Sequence, residues 1–364
     1  MSRIEAWRQA VSDRSLASVA DELAGPVEGA NWPDVWLSAL RDALPASAVG
    51  VAEAVARHGV FTTAHHVAPS HGPTFSLLDL ALAASMPGPI VIGAWSAVPM
   101  SNSAISGAYT FGRTPLEWLI RDPARVRAER ATARDRLRDG VTEGRLSVLG
   151  TGLRDAPVCG QPAGPGWRAL RAAATEAFAA VVPEVGDSHV DRCLASAQGI
   201  ARRLTGRDDL YVVDWTAVAA TAWLRTADGF DGLRRRRERL ASTGLSLFFE
   251  RAGSTQRPVL AAVHGVPDDA EDRVAAGTLW TGLATAFGPL RSEARVAFVG
   301  GYRQAEWLET LADAWGGTGV AGRCFAGRLR DASGREVWAL DAVMGSADPG
   351  EVRARPMSSF FGSA

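Results

Sequence analysis

The chain has 364 residues, 47% of them apolar, and a formal net charge of −1. That balance excludes global disorder and a dedicated nucleic-acid binder with an overall basic field. All 39 basic residues are arginines, so no lysine can form a Schiff base or serve a P-loop, and PLP and lysine-aldolase chemistry are excluded.

Any phosphate must therefore be held by Arg, His, Ser/Thr or backbone N–H groups. The three cysteines, Cys159, Cys193 and Cys324, are far apart and form no C-x-x-C pattern, which points to a reducing, cytoplasmic setting. The opening Met1-Ser2-Arg3-Ile4-Glu5-Ala6-Trp7 lacks the apolar core of a signal peptide. No run reads as a membrane span, and neither DNA nor membrane is an expected partner.

Residues 4–23 place apolar side chains at helical spacing (Ile4, Trp7, Val11, Leu16, Val19, Leu23). Pro33 and Asp34 start a second helix that Pro45 stops after Leu44, and Ala46 to Arg57 reads as a third. These form an expected helical cap on a sheet. Val60 to Thr63 is β-branched and aromatic, as in a short buried strand. A polar loop comes next, and Pro73 suits the first position of a helix through Leu82.

Four of the six histidines lie between His58 and His71, where this strand hands over to its helix. In an open α/β sheet ligands bind outside the carboxyl ends of the strands. His65, His66 and His71 are therefore candidate catalytic groups, with Ser70 and the Gly72 helix start as an anion cradle.

Pro89 to Trp95 is a continuous apolar run, as in a strand buried on both faces. It feeds a serine-rich loop in which Ser101, Asn102 and Ser103 are candidate substrate contacts. Residues 123–145 look like an exposed Arg/Glu-laced helix, and Gly150 to Gly166 is the best linker candidate. Residues 167–204 read as two helices. There His189 and Cys193 share a face, as a satisfied histidine rather than a thiol site.

Asp209 to Trp215 reads as a strand with Asp214 at its end, then an Ala-rich helix and a basic helix through Leu240. Two more strands are expected at Leu245–Glu250 and Val259–His264, and His264 is a fourth candidate catalytic residue. Residues 270–287 read as helical. Arg295 to Leu308 repeats strand, glycine turn and helix. Gly300-Gly301 permits close approach of a ligand, and the helix start after it favours an anion, with Asp214, Arg303, Gln304 and Glu306 as binding candidates. The tail reads as a β-hairpin, its strands near Cys324–Leu329 and Val337–Val343, around Asp331-Ala332-Ser333-Gly334.

Two segments carry a resemblance. Thr63-Ala64-His65-His66-Val67-Ala68-Pro69-Ser70-His71-Gly72-Pro73-Thr74-Phe75 resembles the Thr-Gly-Gln/His-Gln … Gly-Pro-x-Tyr segment of the bacillithiol-synthase family of cysteine-adding enzymes. Val296 to Trp307 is similar to that family's later Tyr-Val-Gly-Gly-Pro-Gly-Glu-x-x-Tyr segment, in the same order. Ala64 stands where the family has glycine, and His65-His66 where it has Gln/His-Gln. The Ser101-Asn102-Ser103 region replaces the family's Gly-Glu-Asp-His motif. The resemblance implies a Rossmann-like core related to class I synthetases and an amino-acid or amine condensation, with a substrate other than that of bacillithiol synthesis.

The expected fold is α/β, a Rossmann-like, mainly parallel sheet with helices on both faces and a helical insertion. Residues 1–114 hold the N-terminal helices and the first part of the core, 115–205 the insertion or second layer, and 206–364 the second part with the C-terminal hairpin. The expected function is a biosynthetic enzyme, ligase- or transferase-like, that joins an amino acid or similar carboxylate to an amine. A homodimer is a candidate assembly. The sequence leaves the cofactor open, with ATP a candidate ahead of zinc or iron, and no metal site is assigned. The alternatives are a His-dependent metalloenzyme using zinc or iron, a hydrolase on His65, His66 and His71, and a binding protein on a decayed enzyme core. The 12 tryptophans suit either an aromatic substrate or a Trp-rich core.

Overall fold

The computed structural model describes residues 3–66, 71–96, 110–111, 114–115, 189–254, 257–316, 323–331, 334, 336–337, 339, 342 and 349–361. The N-terminal helices are α1 (Arg3–Val11), α2 (Leu16–Ala24), α3 (Asp34–Ala43) and α4 (Val51–His58). Strand β1 (Val60–His66) leads to α5 (Pro73–Ser85) and β2 (Ile90–Trp95). A two-residue pair comes after it, β3 (Thr110–Phe111) and β4 (Thr114–Pro115). Next are α6 (His189–Thr205), β5 (Leu210–Asp214), α7 (Trp215–Arg225) and α8 (Gly229–Ala241). Then come β6 (Phe248–Ser254), β7 (Arg257–Val263), α9 (Ala270–Ala275), β8 (Leu279–Thr281) and α10 (Leu283–Ser292). The chain closes with β9 (Ala297–Gly301), α11 (Tyr302–Trp315), β10 (Arg323–Phe325) and α12 (Pro349–Ala354).

The central sheet has five strands in the order β10-β9-β1-β2-β5, and every pairing in it is parallel. The chain steps outward from β1 through β2 to β5, returns to the other side of β1 as β9, and ends at β10. This is the doubly wound order of a Rossmann-like fold, with helices on both faces. Its two faces bury separate cores. Val60, Ile90, Ile92, Leu210, Val212, Ala297 and Val299 meet α2, α5 and α6 on one side. Phe61, Val91, Trp95, Val213 and Phe298 meet α3, α7, α10 and α11 on the other. Alternate strand residues point to opposite faces, so burial on both sides demands the near-continuous apolar runs seen in the sequence.

The buried tryptophans of the described residues belong to the second of these cores, while Trp7 packs against the first. Trp32, Trp36, Trp95, Trp215, Trp223, Trp280 and Trp315 are all buried. Trp215 donates its indole N–H to the Ala286 carbonyl at 3.0 Å, and Trp223 donates to Thr285 at 2.8 Å. Buried indoles need such acceptors, and here they lock α7 onto α10. Gly93 inside β2 is explained by Phe61, since a Cβ at Gly93 would lie 2.8 Å from the Phe61 ring. The outer edge of β5 is closed by α6. The Gln198 amide oxygen accepts from Val212 N–H at 3.0 Å, and Arg202 donates to the Leu210 carbonyl at 2.7 Å. Side-chain capping of this kind blunts an open sheet edge.

Several elements differ from the sequence expectation. The third helix starts at Val51 because Gly50 takes a left-handed φ of 74° at its N-cap. The stretch 270–287 is not one helix. Gly277, at φ 67°, turns the chain after α9, and Leu279-Trp280-Thr281 pairs with β6 as β8. Strands β6 and β7 form a hairpin, and with β8 they make a separate three-stranded antiparallel sheet. Among the described residues of the tail, the expected hairpin is represented by one antiparallel bridge, Arg330–Glu336. Residues 323–325 join β9 in the parallel sheet instead. The exposed Arg/Glu helix and the linker lie outside the described residues, and α6 is the described part of the expected helical insertion. Among the described residues no helix is long and apolar enough to cross a membrane.

Candidate functional site

The order of the parallel sheet reverses between β1 and β9, and such a switch point leaves a crevice at the carboxyl ends of the two strands. The register places Val60 beside Ala297, Phe61 beside Phe298 and Thr62 beside Val299. Strand β1 runs four residues beyond Thr62, to His66, and β9 two beyond Val299, to Gly301. At 3.3 Å per residue, β1 overhangs β9 by roughly 6 Å. The two segments singled out in the sequence, more than 200 residues apart, are thus neighbouring strands. His65 and His66 sit on the strand end rather than in the loop, level with Ala94 and Trp95 of β2.

Three details mark this crevice. The β1–β2 register shifts between Thr62 and His65, and such bulges recur beside sites because they re-aim the side chains of the bulged strand. Thr62 is buried, and its hydroxyl has no hydrogen-bond partner among the described residues. At Gly301 a Cβ would meet no described heavy atom within 4 Å. Helix α11 begins directly after Gly301, and Arg303, Gln304 and Glu306 lie in its first two turns.

The start of α5 is built differently. Pro73 occupies its first turn after the Gly72 N-cap. His71 is 3% exposed and Asp79 1%, and the ring Nδ1 lies 2.8 Å from the Asp79 carboxylate. Ser76 Oγ donates to the Gly72 carbonyl at 2.8 Å and to that of His71 at 3.1 Å. The His71 carbonyl also accepts from Ala339 N–H, and that of Pro73 from Leu329 N–H. His71 is therefore a buried, oriented group that fixes the helix start against the C-terminal segment. Asp79 escaped the sequence reading. Its signal was a lone acid inside Leu77-Leu78-Asp79-Leu80-Ala81.

Asp214 closes the carboxyl end of β5, where it was expected, and is occupied there. Its carboxylate caps α7, accepting from Thr216 N–H at 3.0 Å and Ala217 N–H at 3.3 Å. It also accepts from Ser96 Oγ at 2.8 Å, while Ser96 N–H donates to Thr216 Oγ1 at 3.1 Å. Ser96 is the first residue after β2, and sequence reasoning did not select it. Asp214→Ala is expected to lose about 1–2 kcal/mol through the cap, whereas Asp214→Asn keeps a competent cap and stays within about 0.5 kcal/mol. Urea denaturation of both variants checks this, and equal losses would deny the capping role.

Beside this edge, Trp95 stacks on Phe287 at 5.2 Å and meets Phe249 edge-on at 6.5 Å, so the antiparallel sheet abuts the end of β2. His264 comes directly after β7 in that antiparallel sheet, exposed, with Nδ1 3.2 Å from the Leu245 carbonyl. His58 ends α4 at the amino edge of β1, with Nε2 2.6 Å from the Ala24 carbonyl. A strand length therefore separates it from the other histidines. Ser70, Ser101, Asn102 and Ser103 lie outside the described residues. Among the described residues no three His, Cys, Asp or Glu side chains converge as metal ligands.

The structure thus brings together the β1 histidines and the Gly-Gly helix start. It places His71 behind them in the core, Asp214 in a cap, and His264 on another sheet. Comparison of the chain with protein-family models, curated proteins and solved structures returns no match to any of them.

Proposed function

We propose that the chain is a small-molecule biosynthetic enzyme that joins an amino acid or similar carboxylate to an amine in the crevice between β1 and β9. The observation that carries this reading is the convergence of the His65-His66 strand end and the Gly300-Gly301 turn at the switch point of a parallel sheet. That is where nucleotides and other anionic ligands sit in open α/β folds. The start of α11 supplies N–H groups that have no partner within the helix and the positive end of a helix dipole. A carboxylate or phosphate held there would be read by Arg303 and Gln304, with Glu306 meeting the amine.

Condensation forms a C–N bond as the amine nitrogen attacks the activated carboxyl carbon; the C–O bond to the activating group breaks, that group leaves as phosphate or AMP, and the amine nitrogen loses a proton. His65 or His66 would take that proton, since an imidazole titrates near neutral pH. ATP is the expected activator, held without lysine by backbone N–H groups and Arg303. The low cysteine count fits a reducing, cytoplasmic place of work, and the modest net charge fits a small-molecule substrate rather than DNA.

A thermal-shift screen of ATP, ADP and the amino acids tests the reading. A ligand that binds only the folded state raises its stability in proportion to the logarithm of its excess over Kd. ATP or an amino acid is expected to raise Tm in the native chain, and His66→Ala is expected to abolish turnover of the pair so identified with its own Tm unchanged. If no nucleotide or amino acid shifts Tm, or if His66→Ala retains near-native turnover, the assignment fails.

A further inference from the structure

A second cleft opens where α7, α10 and α11 end, at the amino edge of the sheet, whereas the β1–β9 crevice lies at its carboxyl edge. It has a volume of about 340 Å³ and lies between the start of α3, the end of α7, the start of α8 and the end of α11. That volume falls at the lower bound of small-molecule sites. Its apolar wall is made by Trp36, Trp223 and Trp315, with Trp223 6.1 Å from Trp315 and 6.4 Å from Trp36.

The polar side comes from one face of α8. Asp228, Gly232, Arg235 and Arg236 are spaced so that all four share that face. The missing side chain at Gly232 leaves room. A Cβ there would lie 3.8 Å from Arg235 Nη2 and 3.7 Å from Arg236 Nη1, so both guanidinium groups fold back over the same point. Arg236 is already engaged, 5.1 Å over the Trp315 ring and 3.4 Å from Glu293. Arg235 and the Asp228 carboxylate have no ion pair or hydrogen bond among the described residues. Asp228 is the N-cap of α8, yet its side chain makes no cap bond, and it holds a left-handed φ of 52°.

We infer that this cleft binds a free α-amino acid with an apolar side chain. Arg235 receives the carboxylate, Asp228 receives the ammonium group, and the three indoles receive the side chain. A zwitterion fits because an unengaged cation and an unengaged anion lie one helical turn to either side of Gly232, beside an apolar wall. A simple anion would face Asp228 and Glu293, and a simple cation would face two arginines. The inference does not depend on the condensation reading, because the cleft lies at the opposite edge of the sheet.

The test is calorimetry and tryptophan fluorescence with L-phenylalanine and L-leucine on the full chain. Both charged groups are exposed, so a Kd on the order of 1 mM is expected. Phenylpropionate and phenethylamine, each lacking one charged group, are expected to bind about tenfold more weakly, as are the Arg235→Gln and Asp228→Gly variants with L-phenylalanine. Glycine suits the left-handed φ at 228, so Asp228→Gly should fold at least as stably as the native chain. Gly301→Ala separates the two sites, since binding at the amino edge survives it and binding at the β1–β9 crevice does not. No saturable binding to the native chain, or binding unmoved by both α8 variants, would overturn the inference.

Discussion

Asp79→Ala is expected to destabilise the fold by about 3 kcal/mol, because it breaks a buried charged or hydrogen-bonded pair by removing one of its members. The pair is closed on all sides, with His71 and Asp79 each almost without exposed surface. The 2.8 Å contact between them crosses eight residues of sequence. It ties the segment before α5 to the second turn of that helix. The same segment carries the His71 carbonyl that accepts from Ala339, so loosening it also loosens the C-terminal segment. Alanine leaves the imidazole facing a void that cannot solvate it. Asp79→Asn keeps the size and one acceptor oxygen, and should cost about 1 kcal/mol. Chemical denaturation of the two variants distinguishes this from a generic packing defect. If asparagine costs as much as alanine, the hydrogen bond is not what holds the pair. Only four residues of sequence separate His66 from His71, so the dyad also fixes where the chain leaving the candidate site must arrive.

The parts of this fold that were legible in the sequence are those decided locally. Strand β2 is a bounded apolar run, α5 carries its proline at the first turn, and β9 passes through glycines into α11. Each signal sits within about a dozen residues. What decides that β1 and β9 are neighbours is the pairing of Phe61 with Phe298, and no local pattern encodes a partner that far along the chain.

The antiparallel sheet was illegible for another reason. Leu279-Trp280-Thr281 is too short to outweigh the helical periodicity around it, and its strand state depends on pairing with Phe248 to Glu250. The polar roles are likewise not decided by local sequence. A carboxylate at a strand end can face a substrate or cap the next helix. Asp214 is committed by Ser96 and Thr216, residues whose proximity only the fold creates. Tryptophan count likewise left two meanings open, and burial of Trp32, Trp95 and Trp215 shows that the core takes its share of them.

Gly301→Ala is expected to leave the fold intact and abolish ligand binding in the crevice. The structural side of the expectation rests on two observations. Gly301 is absent from the glycines with positive φ, so alanine can adopt its backbone conformation. No described atom lies within 4 Å of the Cβ it would gain. Such a replacement stabilises by roughly 0.4–1 kcal/mol by restricting the unfolded chain. The functional side rests on the same open space. If a phosphate or carboxylate sits against the turn from β9 into α11, the new methyl group occupies the approach that glycine leaves clear.

A ligand at a hundredfold excess over Kd contributes about 2.7 kcal/mol to the native chain. A hundredfold weaker affinity in the variant would cut that to about 0.4 kcal/mol. In a chain of this length that is a fall from a shift of roughly 3.5 °C to about 0.5 °C. The pattern to look for is therefore a variant whose own Tm is equal or higher and whose ligand-induced shift is gone. A variant that melts early would mean that Gly301 serves packing. One that melts normally and still responds fully to the ligand would place the binding site elsewhere than the switch point.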